Sequence, residues 1–592
     1  MEKELLEGAD PVHDELIHDD KKRRKGGFIT MPFIIANEAL AKLASVGLIP
    51  NMILYLTEDY RIRVVKATKI MFLWLAATNF SPSVAAFVAD SYMGRFLAIG
   101  LGSILSFLGM AVMWLTAMIP QARPPSCNHH STENCQSATS SQIAIIFSCF
   151  ALISIGGGGI SCSLSFGADQ LSKKTDPKNQ RVLESFISWY IASQAIAVVF
   201  SMTAIIYIQD HLGWKLGFGV PAAVMFLSTL LFFLVSSRYV KNKPHSSMLS
   251  GFAQVIVVSY KNRNLSLPPK DSVGMYHQNN DSTLVAPTDR LRFLNKACII
   301  KDKEKDIASD GSASKRWNLC TIDQVEELKA IIKIIPIWSS SIMVSVSSSQ
   351  SSYHLLQAQT MDRHITSNFE IPAGSFGVFI MLAVFITAGV YDRIFLPLAS
   401  KIRGKQVTIS AKKRIGIGIF FSILDLVVSA IVETIRRKKA IQEGYIDNPK
   451  AVLNMSAMWL IPHNILCGMS EAFNAIGQSE FYYSQFPSSM SSIAASLFTL
   501  GSAFGNLLAS LIVSIVDDIT SRGGKESWVS DNVNKGRYDK YYWLLTIMSI
   551  LNIMYYLICS WTYGPSDVEA TSEKEERLTI RASRVHHEKE AS

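Results

Sequence analysis

Residues 96–119 read FLAIGLGSILSFLGMAVMWLTAMI, a run of 24 residues without a charged side chain. A helix of that length rises about 36 Å, which is enough to cross a hydrocarbon core of roughly 30 Å. The run shows neither strand-like alternation nor strand-length segments, and lipid offers an open strand no hydrogen-bond partners. This stretch therefore predicts a transmembrane helix rather than part of a barrel or of a soluble core.

Similar apolar runs lie on both sides of this stretch. The first set covers residues 28–57, 68–90, 96–119, 142–168, 185–208 and 216–236. The second set covers residues 329–357, 373–398, 414–435, 455–483, 489–516 and 541–562. The sequence thus predicts an all-α membrane protein with about twelve transmembrane helices in two six-helix halves.

Polar residues divide the chain into five regions. We predict a cytosolic N-terminal tail (1–27), an N-terminal six-helix bundle (28–236), a cytosolic linker (237–328), a C-terminal six-helix bundle (329–563) and a cytosolic C-terminal tail (564–592). The linker is rich in Lys, Asp and Ser, so we expect a soluble, partly disordered segment with a helical piece from about Thr321. No signal peptide is expected, because acidic sequence and a basic cluster precede the first span.

Basic residues give the expected orientation. The cluster at residues 21–25, Lys173 and Lys174 in one loop, and residues 401–414 in another place the termini and the linker in the cytosol. Residues 436–439 fall on the opposite side and weaken this bias. The net charge of +9 is spread over loops beside the bilayer, which favours contact with the membrane surface and argues against a nucleic-acid partner.

The eight cysteines show no metal-binding pattern, since the chain has no CxxC and no alternating Cys/His cluster. We therefore expect no metal site and no cofactor. Cys127 and Cys135 share one loop, where a disulfide and two free thiols both remain open.

A short motif, Asp90-Ser-Tyr-Met-Gly94-Arg95, connects the second and third spans. Gly94 permits a tight bend, while Asp90 and Arg95 can pair across it and hold two helices in one state of a transport cycle. An ordinary capped loop is the alternative. The motif resembles DxxGR, the signature of major facilitator transporters, whose two halves enclose a binding site near the membrane midplane. We therefore predict the major facilitator fold.

Further segments carry a more specific pattern. They are FGADQ at 166–170, SFISWY at 185–190, IPIW at 335–338, YDR at 391–393, Glu471, and QSEFY at 478–482. Together they resemble the plant nitrate and peptide transporter family, a branch of the proton-dependent oligopeptide transporters, over about residues 26–564. The resemblance implies a secondary transporter rather than an enzyme. Asp90, Gly94, Arg95 and Asp169 are then its gating and structural residues.

Two charged residues lie within the first span, where a charge is costly unless it faces a cavity or a partner. Glu38 and Lys42 are four residues apart, so they share one helix face and can pair. The resembled family has ExxE followed by Lys or Arg here, and its carboxylates are implied in proton coupling. In this chain Ala41 replaces the second acid, and Ile160 stands where span four usually carries a facing cation. Glu38 remains as the candidate proton carrier, with Lys42 as its counter-ion.

The candidate substrate residues of the C-terminal half lie in spans seven and ten. Glu471 occupies a position that the family uses in its binding cavity, and an acid there suits an amino or hydroxyl group better than a bare anion. Trp338, Ser347 and Gln350 are further candidates for the substrate site. For Ser347 and Gln350 the alternative role is a hydrogen bond between helices. Ser347 matches the position of a histidine that binds nitrate in one member of the family. His354 lies two turns further along, so we expect it near the outer mouth.

The resemblance implies a secondary active transporter, coupled to protons, of nitrate or a small organic solute such as a glucoside, hormone or peptide. The changes at Ala41 and Ile160 leave two alternatives on the same fold, a pH-independent facilitator and a non-transporting solute sensor. The expected partners are the small-molecule substrate, protons and the lipid bilayer, and a homodimer remains open. We expect the plasma membrane before the vacuolar membrane, although Glu4-Leu5-Leu6 resembles an acidic dileucine sorting signal.

Overall fold

The computed structural model describes most of the chain. The described residues are 26–125, 137–170, 177–242, 248–268, 275–278, 286–308, 311, 313–315, 317–404, 409–487 and 490–564. Predictions about Cys127 and Cys135, about Lys173 and Lys174, and about residues 1–25 lie outside them.

The described part of the chain contains twelve helices of 22 residues or more. They are α1 (Phe28–Asp59), α2 (Val64–Met93), α3 (Arg95–Met118), α4 (Ser140–Asp169), α5 (Arg181–His211), α6 (Gly213–Leu234), α7 (Ile322–Gln359), α8 (Ala373–Ile402), α9 (Ala411–Gln442), α10 (Ile461–Gln485), α11 (Ile493–Thr520) and α12 (Tyr538–Tyr563). All of them except α10 are long and apolar enough to cross a membrane.

Helix α10 is less apolar than a typical membrane span, and many of its polar side chains face the protein interior. It has 25 residues, which is long enough for a hydrocarbon core of roughly 30 Å. His463, Asn464, Asn474 and Gln478 are all buried, and the helix packs against α8, α9 and α11. The predicted all-α membrane fold of about twelve helices is therefore confirmed.

Two small sheets lie in the loops that follow α7 and precede α10. Their strands are β1 (Met361–Asp362), β2 (His364–Thr366), β3 (Phe369–Glu370) and β4 (Leu453–Ser456). Strand β1 pairs in parallel with β4, and β2 pairs antiparallel with β3. The predicted start of span ten at residue 455 is wrong, because that stretch is extended backbone paired with β1 and the helix begins at Ile461.

The apolar core differs between the two ends of the bundle. We call the end where α6 ends and α7 begins the linker end, and the opposite one the far end. One buried cluster at the far end joins both halves, with Met71 of α2 and Val513 of α11 among its members, and these two helices pack along each other. At the linker end each half has a cluster of its own, around Phe166 and around Tyr482. Among the described residues, the halves thus share an apolar core only at the far end.

Arg436, which weakened the predicted orientation, is not a surface residue. It is fully buried in α9, where Nε and Nη2 donate to the carboxylate of Glu433 at 2.7 and 2.9 Å. Its Nη1 donates to Thr360 Oγ1 at 3.0 Å and to Asn534 Oδ1 at 2.7 Å. A neutralised, buried arginine gives no loop charge, so this residue should not count against a cytosolic linker.

The linker contains a folded unit at the linker end. A linker helix, Met248–Lys261, buries Val255 and Val258 in one cluster with Cys298 and Cys320. The sequence predicted a partly disordered linker, and these described parts of it are folded. The reason is that apolar residues spaced three apart give the linker helix a stripe that packs against the segments before α7.

The start of α7 agrees with the sequence prediction. Thr321 precedes the helix, its hydroxyl accepts from the Gln324 amide, and the Gln324 side chain accepts from the Thr321 amide at 3.0 Å. This reciprocal pair is a capping box, which satisfies two backbone donors at a helix start. The predicted helical piece from about Thr321 into span seven is confirmed.

We expect the thiols of Cys298 and Cys320 to resist maleimide in the native protein. Both are buried, and burial raises the pKa of each thiol to about 12, so neither is available as a thiolate. Site-resolved mass spectrometry before and after denaturation measures the labelling rate. Lys305→Cys supplies a matched thiol at an exposed linker position. Equal native rates at all three cysteines would contradict a folded linker.

Candidate functional site

The turn between α2 and α3 brings its charged residues together. Gly94 has φ of +80°, a left-handed conformation that glycine adopts without strain. Arg95 Nε donates to Asp90 Oδ1 at 3.0 Å, and Arg95 Nη1 donates to Asp169 Oδ2 at 2.8 Å. One guanidinium therefore ties this turn to the end of α4, at the linker end of the bundle.

Glu38 lies inside the N-terminal half and is only 4% exposed. The hydroxyls of Ser163 on α4 and Tyr190 on α5 are its polar neighbours, and Lys42 attracts it through space. Its Oε2 has no hydrogen-bond partner among the described residues. The expected ion pair with Lys42 is not formed among the described contacts, because the lysine side chain stays partly exposed one turn along α1.

The two positions that depart from the resembled family are apolar and buried. Ala41 and Ile160 belong to the same apolar cluster. Ser163 Oγ, close to Ile160 in the chain, donates to the Ile160 carbonyl oxygen at 2.6 Å. The lone pairs of the Ser163 hydroxyl can therefore accept a hydrogen bond from a protonated Glu38 carboxyl group.

A small cavity lies inside the C-terminal half. It is lined by Val344, Ser347, Ser348, Ser422, Asp425, Cys467, Ser470 and Glu471. Ser348 Oγ donates to Glu471 Oε1, and Ser347 Oγ donates to Asp425 Oδ2 at 3.1 Å. Two carboxyl groups thus share one cavity, and none of the described residues that line it is a lysine or an arginine.

Asp425 connects the cavity lining to a buried histidine, His463. Neither residue was among the candidates predicted from the sequence. His463 Nδ1 lies 3.3 Å from Asp425 Oδ1, and the His463 ring stacks on His354 with 3.8 Å between ring centroids. His354 Nε2 lies 3.1 Å from Ser429 Oγ, and its other face stacks on Tyr542. A signal for Asp425 was present, because an acid in the middle of a predicted span is a candidate functional group.

From its place in the sequence we expected His354 near the outer mouth, but the structure places it elsewhere. It is buried in the C-terminal half between side chains of α9, α10 and α12. The expectation failed because distance along a helix gives depth, whereas the rotation of α7 decides which way the ring faces.

Gln350 and Trp338, two predicted site residues, contact neighbouring helices. Gln350 Nε2 donates to the Val346 carbonyl oxygen at 2.7 Å, and its Oε1 accepts from Tyr541 at 3.0 Å. Trp338 Nε1 donates to the Leu497 carbonyl oxygen at 2.8 Å. Neither residue lines the described cavity, whereas Ser347 and Glu471 do.

Comparison with known proteins gives the family. The chain matches the family model described as POT family over residues 96–529. It is 55% identical over 575 residues to Protein NRT1/ PTR FAMILY 1.2 of Arabidopsis thaliana, with 95% of each chain covered. This chain belongs to the NRT1/PTR branch of the POT family. A second relative, Protein NRT1/ PTR FAMILY 1.1 of Arabidopsis thaliana, is 54% identical over 558 residues, with 94% of each chain covered.

Solved POT family structures share the fold. An auto inhibited POT family peptide transporter aligns with a TM-score of 0.65 at 18% identity, over 90% of this chain and 96% of that one. The POT family transporter PepTSo aligns with the same TM-score, over 90% of this chain and 98% of its own. The predicted family and the major facilitator fold are therefore confirmed. As an NRT1/PTR family member, the chain is a multi-span membrane transporter and not an enzyme.

Proposed function

We propose that this NRT1/PTR transporter is a proton-coupled symporter of a small organic solute, with nitrate as the second candidate substrate. Glu38 is the observation that carries the proposal. It is a buried carboxyl group with one oxygen that has no hydrogen-bond partner in the described part of the chain, next to the hydroxyls of Ser163 and Tyr190. An ionisable group at such a place inside a membrane protein suits the loading and release of a proton.

The cavity in the C-terminal half supports the substrate class. Asp425 and Glu471 accept hydrogen bonds from amino or hydroxyl groups and repel a bare anion. In this state the cavity has no room for a water molecule, so a solute would enter only after the helices that line it move apart.

The two halves supply the moving parts of the proposed cycle. The N-terminal bundle (28–236) and the C-terminal bundle (329–563) would rock against each other. The joined far end and the separate clusters at the linker end support an inward-facing state, with the linker in the cytosol. Arg95 then stabilises the N-terminal half at its cytosolic end through Asp90 and Asp169. We propose the plasma membrane as the location.

Uptake into oocytes tests the proposed function. Labelled nitrate, a panel of glucosides and a panel of dipeptides are compared at about pH 5.5 and about pH 7.5. We expect an organic solute to enter faster at the acid pH. Glu471→Gln should lower that uptake about 10-fold, because a hydrogen bond to a charged group contributes about 1.5–3 kcal/mol. Glu370→Gln, which changes a carboxylate in the hairpin after α7, is the matched control.

Two outcomes would overturn the proposal in different ways. Uptake that is the same at both pH values would make the chain a facilitator, which the apolar residues at Ala41 and Ile160 favour as the second candidate. No uptake of any solute, with the protein present at the cell surface, would favour a sensor.

A further inference from the structure

We propose that Asp425, His463 and His354 form a second proton-binding site, placed in the C-terminal half and distinct from Glu38. The inference rests on the proposed proton coupling and deepens it. The site binds one exchangeable proton, and it adjoins the cavity through the carboxyl group of Asp425.

The geometry of His463 provides the place for the proton. With a proton on Nδ1, the ring donates to Asp425 Oδ1 across 3.3 Å. The opposite nitrogen, Nε2, is buried and has no hydrogen-bond partner among the described residues. Its free lone pair can take up a proton, which converts the imidazole to an imidazolium that remains beside the Asp425 carboxylate. Release of the same proton restores the neutral ring.

The stacked rings limit the site to one proton. His354 and His463 have 3.8 Å between their centroids, and two imidazolium charges at that distance would repel each other strongly. His354 Nε2 contacts the hydroxyl of Ser429, and its second face is covered by Tyr542. His354 therefore fixes the orientation of His463, and the two imidazole rings together hold a single positive charge.

The charges around the site create the need for that proton. Its titratable neighbours among the described residues are His354 from α7, Cys467 and Glu471 from α10, and Tyr542 from α12. None of them is a permanent cation, and Arg436 further along α9 is already paired with Glu433. Two ionised carboxylates beside one cavity are unfavourable in a low-dielectric interior, so a proton on the pair offsets one of the charges.

Asp425 connects this proton site to the cavity. Its Oδ1 faces His463, and its Oδ2 accepts from Ser347, which lines the cavity. Ser422, another lining residue, has a buried hydroxyl without a hydrogen-bond partner among the described residues. A solute that binds Ser422 or Asp425 changes the affinity of the pair for its proton. By thermodynamic reciprocity, the proton changes the affinity for the solute by the same factor.

Infrared difference spectra test the proposal without any substrate. The full-length protein, purified and returned to lipid vesicles, is titrated between about pH 5 and about pH 8. We expect the wild type to show a histidine protonation signal together with a carboxyl signal. Asp425→Asn and His463→Gln should each remove the part of both signals that this site contributes, measured as the difference from the wild-type spectrum, whereas the contributions of Glu38 and of the other histidines remain. Glu184→Gln, which changes an exposed carboxylate on α5, and Glu38→Gln should leave the histidine signal of this site in place.

Spectra of the Asp425 and His463 variants that are identical to the wild-type spectrum would overturn the proposal. If neither variant folds, Ser347→Ala decides, because it removes only the hydroxyl that donates to Asp425. It should change the pH midpoint of the histidine signal, and an unchanged midpoint would also overturn the proposal. The spectra need no transport. A pH-independent uptake with the signals intact would therefore contradict the proposed function, while a pH-dependent uptake without them would contradict only this inference.

Discussion

Glu38→Gln should abolish the acid stimulation of uptake and lower the rate at about pH 5.5 at least about 10-fold, which corresponds to about 1.4 kcal/mol. Glutamine keeps the size and the hydrogen-bonding capacity of the side chain but cannot exchange a proton. No second acid stands at Ala41, so no carboxylate one turn away can replace it. Uptake of the organic solute identified with the oocyte panel measures the effect.

The comparison for Glu38 needs exchange as well as net uptake. Exchange of labelled for unlabelled solute requires no net proton movement, so the Glu38 variant should retain it. Glu370→Gln should keep acid stimulation and exchange alike. Acid-stimulated uptake that survives in the Glu38 variant would contradict Glu38 as the proton carrier.

Arg436→Ala should have the largest effect on stability, lowering the free energy of unfolding by about 3–5 kcal/mol. Arg436 is fully buried and donates twice to Glu433, and its loss would leave that carboxylate buried beside the amide of Gln357 alone. Thr360 and Asn534 would each lose a donor as well. Thermal unfolding of the purified protein in detergent measures the change.

The adjacent arginine provides the control for Arg436. Arg437 is only partly buried and donates from Nε to the Gly536 carbonyl oxygen at 2.9 Å. Arg437→Ala should cost no more than about 1 kcal/mol. A double variant, Glu433→Leu with Arg436→Met, should recover most of the lost stability, since no unpaired charge remains. Equal losses at both arginines would mean that the buried pair has no special role.

The helices could be predicted from sequence because the bilayer imposes a length on each apolar run. Residues 96–119 became α3 almost without change. The ends were harder to predict where they depend on remote partners. Residue 455 lies in the strand Leu453–Ser456, which is extended because it pairs with Met361–Asp362, a segment far earlier in the chain. The linker is polar on average. Its valine stripe did not predict a folded unit, because the cysteines in the same buried cluster lie much later in the chain.

The candidate site could be predicted only in part. Glu38 and Glu471 stand out as acids within apolar spans, and in the structure Glu38 is buried and Glu471 is half-buried. Asp425 carried the same signal and could have been found in the same way. The stacking of His354 on His463 could not, because it depends on how α7 and α10 are rotated against each other. Sequence identifies costly residues in a membrane, while packing decides which of them meet.

The shared apolar cluster at the far end bears on where a blocking compound would enter. Opening that end separates α2 from α11, and each 100 Å² of apolar surface exposed there would cost about 2.5 kcal/mol. A resting voltage of about 100 mV supplies only about 2.3 kcal/mol for each charge moved. With the orientation that we propose, in which the linker lies in the cytosol, the empty carrier should therefore wait open on that side, so a compound that arrests it should work best from inside the cell.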